Sequence, residues 1–365
     1  MQIHMLPAED GDCILIEIGS QPYRILIDGG RKRSAEDRVW HILKSLSPVK
    51  TPMIDLLVLT HVDGDHIEGL LWLVKQQQFT VGEVWFNGLE HCEIAAGTRK
   101  ALPALAEEPE EVDATLSIAQ GIDFTNALLS RQWKWNERLP GNVAALDPEG
   151  LLNEIPLVDG WKITLVGPTK DKLARFAKKW AKEMENIIKE AGAATLRGKN
   201  VLVETPSERD VRWLATQRDT PDKALPNATS IAFVLESPNQ KVLFCGDAHP
   251  DDLVEGIRLY GGGNLPVEFD AIKASHHGSA ANNTSEFLTS VKTANWLIST
   301  NGSRHKHPDS EAISRIVSKT ESKTLHFNYN AATTRLWESA RLGTHFDYKC
   351  TFGEDGYLQV KLDEE

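Results

Sequence analysis

Short, almost unbroken apolar runs recur along the chain, each closed by a cluster of glycine or polar residues. CILIEI (13–18) and YRILID (23–28) are β-rich and separated by residues 19–22, which predicts a hairpin that Asp28-Gly29-Gly30 brings to a stop. Residues 35–46 read as a helix. IDLLVLT (54–60) is nearly all apolar, as a strand covered on both faces should be. A polar loop, a helix at 67–78 and a strand at 81–87 follow. The pattern then blurs from 88 to 160, where AEEPEEVDA (106–114) reads as a solvated face or loop. Residues 171–190 repeat apolar positions at helical spacing, with Leu173, Phe176, Trp180, Met184 and Ile187 on one stripe. Residues 195–226 read as loop.

The second half repeats the style of the first. Strands at 231–236 and 241–247 flank a turn, then strands at 269–275 and 294–300 alternate with helices near 250–259, 285–291 and 309–318. Further strands are expected at 324–329 and 356–362. Hairpins combined with strand-helix alternation in both halves predict an α/β fold of two packed sheets with helices outside.

Composition narrows the class. With 365 residues and 41% hydrophobic content, the chain has the means for one large domain with insertions or two ordinary domains. The opening residues lack a basic leader followed by an apolar core, and no stretch approaches the roughly 20 apolar residues of a membrane span. The four cysteines are scattered, and Cys13 and Cys245 fall inside apolar runs. Reduced core thiols and a cytoplasmic setting are expected. A net charge of −12 argues against a protein that coats nucleic acid through a global positive field. Basic residues are nevertheless clustered, at Arg31-Lys32-Arg33 and between Lys170 and Lys182, so local handling of nucleic acid stays open.

The densest chemistry is Thr60-His61-Val62-Asp63-Gly64-Asp65-His66, where a buried strand gives way to a helix. Four potential ligands lie within six residues, and Gly64 is expected to supply a tight turn that points them into one cavity. Neutral imidazole and carboxylate suit Zn, Mn or Fe. Read alone, the segment also fits a helix start capped by Asp65 with His61 as a core histidine. Three other strands end in similar fashion, at Asp28-Gly29-Gly30, at Phe244-Cys245-Gly246-Asp247 and at Ser275-His276-His277-Gly278-Ser279. Strand C-terminal ends are where α/β folds gather their sites.

The order Asp-Gly-Gly, His-x-Asp-x-Asp-His, Gly-Asp, His-His-Gly-Ser resembles the metallo-β-lactamase superfamily. Within it the chain is similar to the metallohydrolase domain of ComEC-type DNA-uptake proteins and their free-standing relatives. Residues 11–16 and 25–30, Asn227-Ala228-Thr229-Ser230-Ile231, the His276 to Ser279 run and His307-Pro308 carry that likeness. It implies one αββα sandwich over residues 1–365, with insertions at about 88–160 and 170–225. By the same resemblance, His61 and Asp63 bind one divalent ion, Asp65 and His66 bind another, and Asp247 bridges them. One of His276 and His277 completes the second position, and the other meets substrate. Asp28 resembles a buried carboxylate that orients the metal loop. Asn227, Ser279 and Arg304 are expected at the substrate.

Two departures from the family pattern stand out. Asp63 occupies a position that is commonly histidine, and a separate histidine completing the first site has no counterpart near 227–230. A site richer in oxygen shifts preference from Zn²⁺ toward Mn²⁺, or leaves that position weakly filled. The resemblance implies a metal-activated water as nucleophile, oriented by Asp65. His307, on a polar loop before a helix, reads as a phosphate contact or proton donor, or as an ordinary loop histidine. The first expectation is a phosphodiesterase or nuclease acting on DNA or RNA, with Lys178, Lys179 and Lys182 guiding the polymer. A small-molecule hydrolase for a lactone, thioester or phosphoester is the second. A non-catalytic module with a depleted metal site is the third. A protein partner stays unspecified, and no membrane association is expected.

Overall fold

The computed structural model describes residues 1–47, 52–97, 112–147, 152–187, 204–319 and 322–362. The first strands are β1 (Gln2–Met5), β2 (Ile14–Ile18), β3 (Tyr23–Ile27), β4 (Met53–Val58), β5 (Thr80–Trp85) and β6 (Lys134–Trp135). They are followed by β7 (Glu154–Pro156), β8 (Lys162–Gly167), β9 (Ala232–Glu236), β10 (Lys241–Phe244), β11 (Val267–Glu268) and β12 (Ala271–Lys273). The last are β13 (Val291–Lys292), β14 (Asn295–Ile298), β15 (Lys323–Phe327), β16 (Tyr348–Phe352) and β17 (Leu358–Lys361).

Two large sheets result. One has the order β17-β1-β2-β3-β4-β5-β6 and the other β16-β15-β14-β12-β10-β9-β8-β7, with β11 and β13 forming a small separate pair. The predicted hairpin is present, β2 and β3 pairing antiparallel with Ile14 opposite Ile27. Alternation along the strands explains why they read as continuous apolar runs. Ile14, Ile16, Ile25, Ile27, Leu56 and Val58 point into the space between the sheets, where they meet Ile163, Leu165, Phe233, Phe244 and Leu297. Leu15, Leu26 and Leu57 point the other way, under helices. Both faces of each sheet are covered, as a sandwich with helices outside requires.

The helices are α1 (Lys32–Ser34), α2 (Trp40–Leu46), α3 (Gly64–Leu73), α4 (Leu89–Ala95), α5 (Val112–Arg131) and α6 (Lys170–Ile187). Later come α7 (Glu208–Ala215), α8 (Pro250–Tyr260), α9 (Ser285–Ser290), α10 (Ser310–Ser318), α11 (Ala332–Arg335) and α12 (Ala340–Phe346). A π-helical turn over Ala35–Val39 joins the first two. Residues of α3, α5 and α6 cover the outer face of the first sheet, and α8, α9 and α10 cover the second. The architecture is a mixed α/β sandwich of two sheets with helices outside, consistent with the expected αββα metallo-β-lactamase fold. Among the described residues no helix is long and apolar enough to cross a membrane.

Several expected elements differ. The helix expected at 67–78 begins at Gly64 and ends at Leu73, because the chain turns to bury Phe79. The expected loop at 195–226 contains α7, whose Ser207 accepts from the Asp210 N–H while Asp210 accepts from that of Ser207. This reciprocal cap was visible in the sequence as Ser-x-x-Asp ahead of Val211 and Leu214, both buried. The blurred region contains α4, α5, β6 and β7, and of the acidic stretch 106–114 only the last residues, at the start of α5, are described. On α6 the expected stripe holds for Leu173, Phe176 and Trp180, all buried, while the side chains of Met184 and Ile187 lie outside the described residues. Cys13, Cys92 and Cys245 are buried free thiols.

Candidate metal centre

Strand ends assemble the site. Asp28 follows β3, His61 follows β4, Asp247 follows β10, and His276 and His277 follow β12. Asp28 takes a left-handed backbone (φ 56°), which aspartate tolerates better than most residues. Its Oδ1 accepts from the Thr60 N–H at 2.8 Å, and its Oδ2 accepts from the Thr60 hydroxyl at 2.8 Å. The same Oδ2 lies 2.7 Å from His66 Nδ1. The glycines beside it allow backbone contact with α3. A methyl group on Gly29 would lie 2.4 Å from the Leu70 nitrogen, and one on Gly69 would lie 1.9 Å from the Gly29 carbonyl oxygen. Gly64 serves differently from the tight turn expected of it. It is the first residue of α3, and a side chain there would meet Arg31 and Glu68 at 2.8 Å.

Hydrogen bonds fix which nitrogen of each ring is free. The Thr60 hydroxyl donates to Asp28, so toward His61 Nδ1, 3.1 Å away, it is an acceptor and that nitrogen carries the proton. His277 Nδ1 donates to the Ser299 carbonyl at 3.1 Å and lies 3.3 Å from Asp12 Oδ1. In each of His61, His66 and His277 the Nε2 atom is thereby turned toward Asp63, Asp65 and Asp247. His276 and His277 both adopt left-handed backbone (φ 48° and 53°), and their ring planes stand 80° apart. Such conformations cost of order 1–3 kcal/mol each and cluster at functional sites. His277 consequently faces inward, while His276 faces the pocket with Nδ1 2.9 Å from Asn282 Oδ1 and 3.5 Å from Asp222 Oδ2.

The Nε2 atoms of His61, His66 and His277 and the Oδ1 of Asp247 are buried without a hydrogen-bond partner. Asp247 Oδ2 lies 3.4 Å from His66 Nε2, 3.5 Å from His277 Nε2, 3.6 Å from His276 Nε2 and 4.0 Å from His61 Nε2. Asp65 Oδ2 lies 3.3 Å from His277 Nε2, and Asp63 Oδ2 lies 3.6 Å from His61 Nε2. Donors held about 2.1 Å from one ion stand roughly 3.0–3.4 Å apart along the edges of its coordination shell. The donor set therefore fits divalent metal. Asp12, His66, Asp247 and His277 also each offer an atom within 4.8 Å of the others. Asp12, however, sits on the Nδ1 side of His277 and pairs with Lys273 Nζ at 2.5 Å, so it supports the ring, and Asp65 is the better fourth donor.

The electrostatics agree. Burial disfavours the charged forms of His66 and His277, yet Asp247 with Asp28 and Asp65 for the first, and with Asp12 for the second, hold both imidazoles well above the usual histidine range. Burial likewise opposes the charge on Asp65 and Asp247, but the facing histidines hold both carboxyls well below their ordinary range.

An open pocket of about 380 Å³ lies over these groups, with Asp63, Asp65, Asp247 and His276 in its wall. Asn227, Ser279, Arg304 and His307 also line it. His307 is 3% exposed, with Nδ1 3.3 Å from Asp309 Oδ1. Of the lysines expected to reach a polymer, Lys178 and Lys179 are not in that wall. Lys178 is exposed and Lys179 half-buried on α6, and the side chain of Lys182 lies outside the described residues. Lys172, on the same helix, is tied to Asp251 and Asp252 at 2.6 and 3.0 Å. Sequence reasoning missed Asp12, Lys273, Ser117 and Asp222. A lysine inside the apolar run before His276 was a signal that went unread, since a buried charge needs a buried partner.

Residues 6–131 match the sequence model of the metallo-beta-lactamase superfamily, a span that contains Asp28, His61, Asp63, Asp65 and His66. None of the curated proteins compared with the chain matches it. Among solved structures, Zn²⁺-bound PqqB from Methylobacterium extorquens is similar at 12% identity, covering 99% of this chain and 100% of that one with a TM-score of 0.43. The metallo-beta-lactamase fold protein YhfI from Bacillus subtilis is similar at 11% identity, with 99% of each chain covered and a TM-score of 0.39. Unliganded yeast PDE1 gives 13% identity, 99% of each chain and a TM-score of 0.40.

Proposed function

We propose that this protein is a metal-dependent hydrolase of the ComEC-like branch, cleaving phosphodiester bonds of DNA or RNA. The observation that carries the reading is the set of buried, unpartnered Nε2 atoms on His61, His66 and His277, converging with Asp247 beneath an open pocket. His61, Asp63 and Asp247 hold one ion, and Asp65, His66, His277 and Asp247 hold the other. A divalent ion there supplies Lewis acidity toward a phosphoryl oxygen and lowers the pKa of the attacking water. Asp65 orients that water. His276, braced by Asn282 and Asp222, and Arg304 bind the substrate anion, and His307 delivers a proton to the leaving oxygen.

A small-molecule phosphoester, lactone or thioester is the second reading. It is favoured by the pocket's modest volume and by a lining in which neither Lys178 nor Lys179 takes part. The test incubates purified protein with Mn²⁺, Zn²⁺ or Mg²⁺ and single- and double-stranded DNA, RNA and a chromogenic phosphodiester. Metal-dependent cleavage of a polymer supports the first reading. Cleavage of the small diester alone supports the second, and no stoichiometric metal uptake at all removes both.

A further inference from the structure

Helix α5 belongs to the region where the sequence pattern blurs, yet it reaches the metal loop. Its Ser117 is 5% exposed, and the Oγ donates to Asp63 Oδ1 at 2.8 Å. We propose that Ser117 is a positioning residue for Asp63, so that α5 completes the first metal position. This rests on the reading of Asp63 as a ligand given above.

Asp63 is the most exposed carboxylate of the set, its side chain 29% accessible, and nothing in an aspartate fixes the rotation of its own carboxyl group. The Ser117 hydroxyl occupies Oδ1 and leaves Oδ2, the atom 3.6 Å from His61 Nε2, as the free donor. One oxygen is thus committed to the protein and one is presented to the ion, which favours single-oxygen ligation and lowers the ordering that binding must impose.

The approach of α5 is set by Gly121, one helical turn on from Ser117. A Cβ at Gly121 would lie 2.8 Å from the Trp180 ring and 3.0 Å from Val62 Cγ1. Val62 stands between His61 and Asp63, so the helix packs directly on the loop that carries both donors. Ile118, Phe124 and Leu128 anchor the helix in the core beneath. Gln120, also on this helix, lines the pocket with an Oε1 buried and unpartnered. The face of α5 that carries Ser117 is therefore part of the site wall.

The test measures Mn²⁺ affinity by competition with a chelating dye, without turnover, in the wild type and in Ser117→Ala, Ser117→Thr and Asp63→Ala. Ser117→Ala should weaken binding about 10-fold, as loss of a group orienting a ligand typically does. Ser117→Thr keeps the hydroxyl and should stay within about twofold of the wild type, which packing alone would not predict. Wild-type affinity in Ser117→Ala, with clear loss in Asp63→Ala, overturns the role of Ser117 and leaves the site reading intact. Equal loss in the alanine and threonine variants reduces Ser117 to packing and also overturns it. No loss in Asp63→Ala overturns the assignment of Asp63 itself.

Discussion

His66 Nδ1 lies 2.7 Å from Asp28 Oδ2, and both side chains are fully buried. That contact joins the end of β3 to the start of α3 and fixes the ring so that Nε2 turns to Asp65 and Asp247. An isosteric amide at position 28 keeps the volume but gives up the charge and one acceptor for the Thr60 and His66 donors.

Asp28→Asn is therefore expected to lower metal affinity by roughly 10- to 100-fold, the usual cost of losing a group that orients a ligating histidine. Equilibrium dialysis against Mn²⁺ or Zn²⁺ measures this directly. Unchanged affinity would make Asp28 a purely structural turn residue.

The alternation of apolar runs with polar strand ends made the sandwich and His61, Asp65, His66 and Asp247 legible, because both sheet faces are covered and the site sits at strand termini. Which of His276 and His277 faces inward was not legible. It depends on two consecutive left-handed residues and on Ser299 and Asp12, which come from distant elements. Ser117 was hidden for a similar reason: its meaning lies in a contact 54 residues away in sequence. No local period encodes such a contact.

Lys273 and Asp12 form a buried ion pair, 1% and 2% exposed at the side chain. Lys273→Met fits the apolar surroundings but leaves the buried Asp12 charge with only the His277 ring beside it. Breaking such a pair from one side typically costs about 3–5 kcal/mol. Asp12→Asn combined with Lys273→Met should recover much of that loss. Urea unfolding of the metal-free proteins checks both, and a single-variant loss below about 1 kcal/mol would show that the pair contributes little.

His91 packs against Trp135, ring centroids 4.4 Å apart, and burial pushes its pKa down to about 4. The unfolded chain protonates this residue near pH 6.5, whereas the folded chain resists until about 4. Its stabilising contribution is complete above the unfolded value and is lost as pH falls from there toward the folded one. Each such group makes stability fall by up to about 1.4 kcal/mol per pH unit in that window. His326, held near 4 by burial as well, acts in the same sense. His91→Phe should flatten the pH dependence of the unfolding midpoint between about pH 6.5 and 4 and leave it unchanged above pH 7. An identical slope in the variant would contradict the burial argument.

In the proposed reading, Asp63 makes the first metal position rich in oxygen. Mn²⁺ is expected to support activity better than Zn²⁺, and Asp63→His should move the preference toward Zn²⁺. Titrating apo-protein with each ion, then assaying, checks the order. Best activity of the wild type with Zn²⁺ would count against the assignment.

Asp247 and His307 should separate ligand from proton donor. Asp247 Oδ2 faces four histidine Nε2 atoms at 3.4–4.0 Å, so in the proposed reading Asp247→Ala removes the group shared by both metal positions. Metal content and turnover are expected to vanish together. His307 stands behind His276, with ring centroids 5.1 Å apart, and lies in the pocket wall with Asp309 at its Nδ1. Its ring centroid lies 6.4 Å from that of His277, against the 4.2 and 5.1 Å that separate His66 from His61 and His277. His307→Ala should therefore keep full metal content and slow turnover by roughly 10²-fold or more, as loss of a general acid typically does. The loss should shrink for a substrate whose leaving group is already acidic, such as a nitrophenyl ester, because that group departs without a proton. Metal analysis and rates on the two substrate types decide the matter. Loss of metal in His307→Ala would make it a ligand, and equal slowing on both substrates would assign it to binding rather than proton transfer.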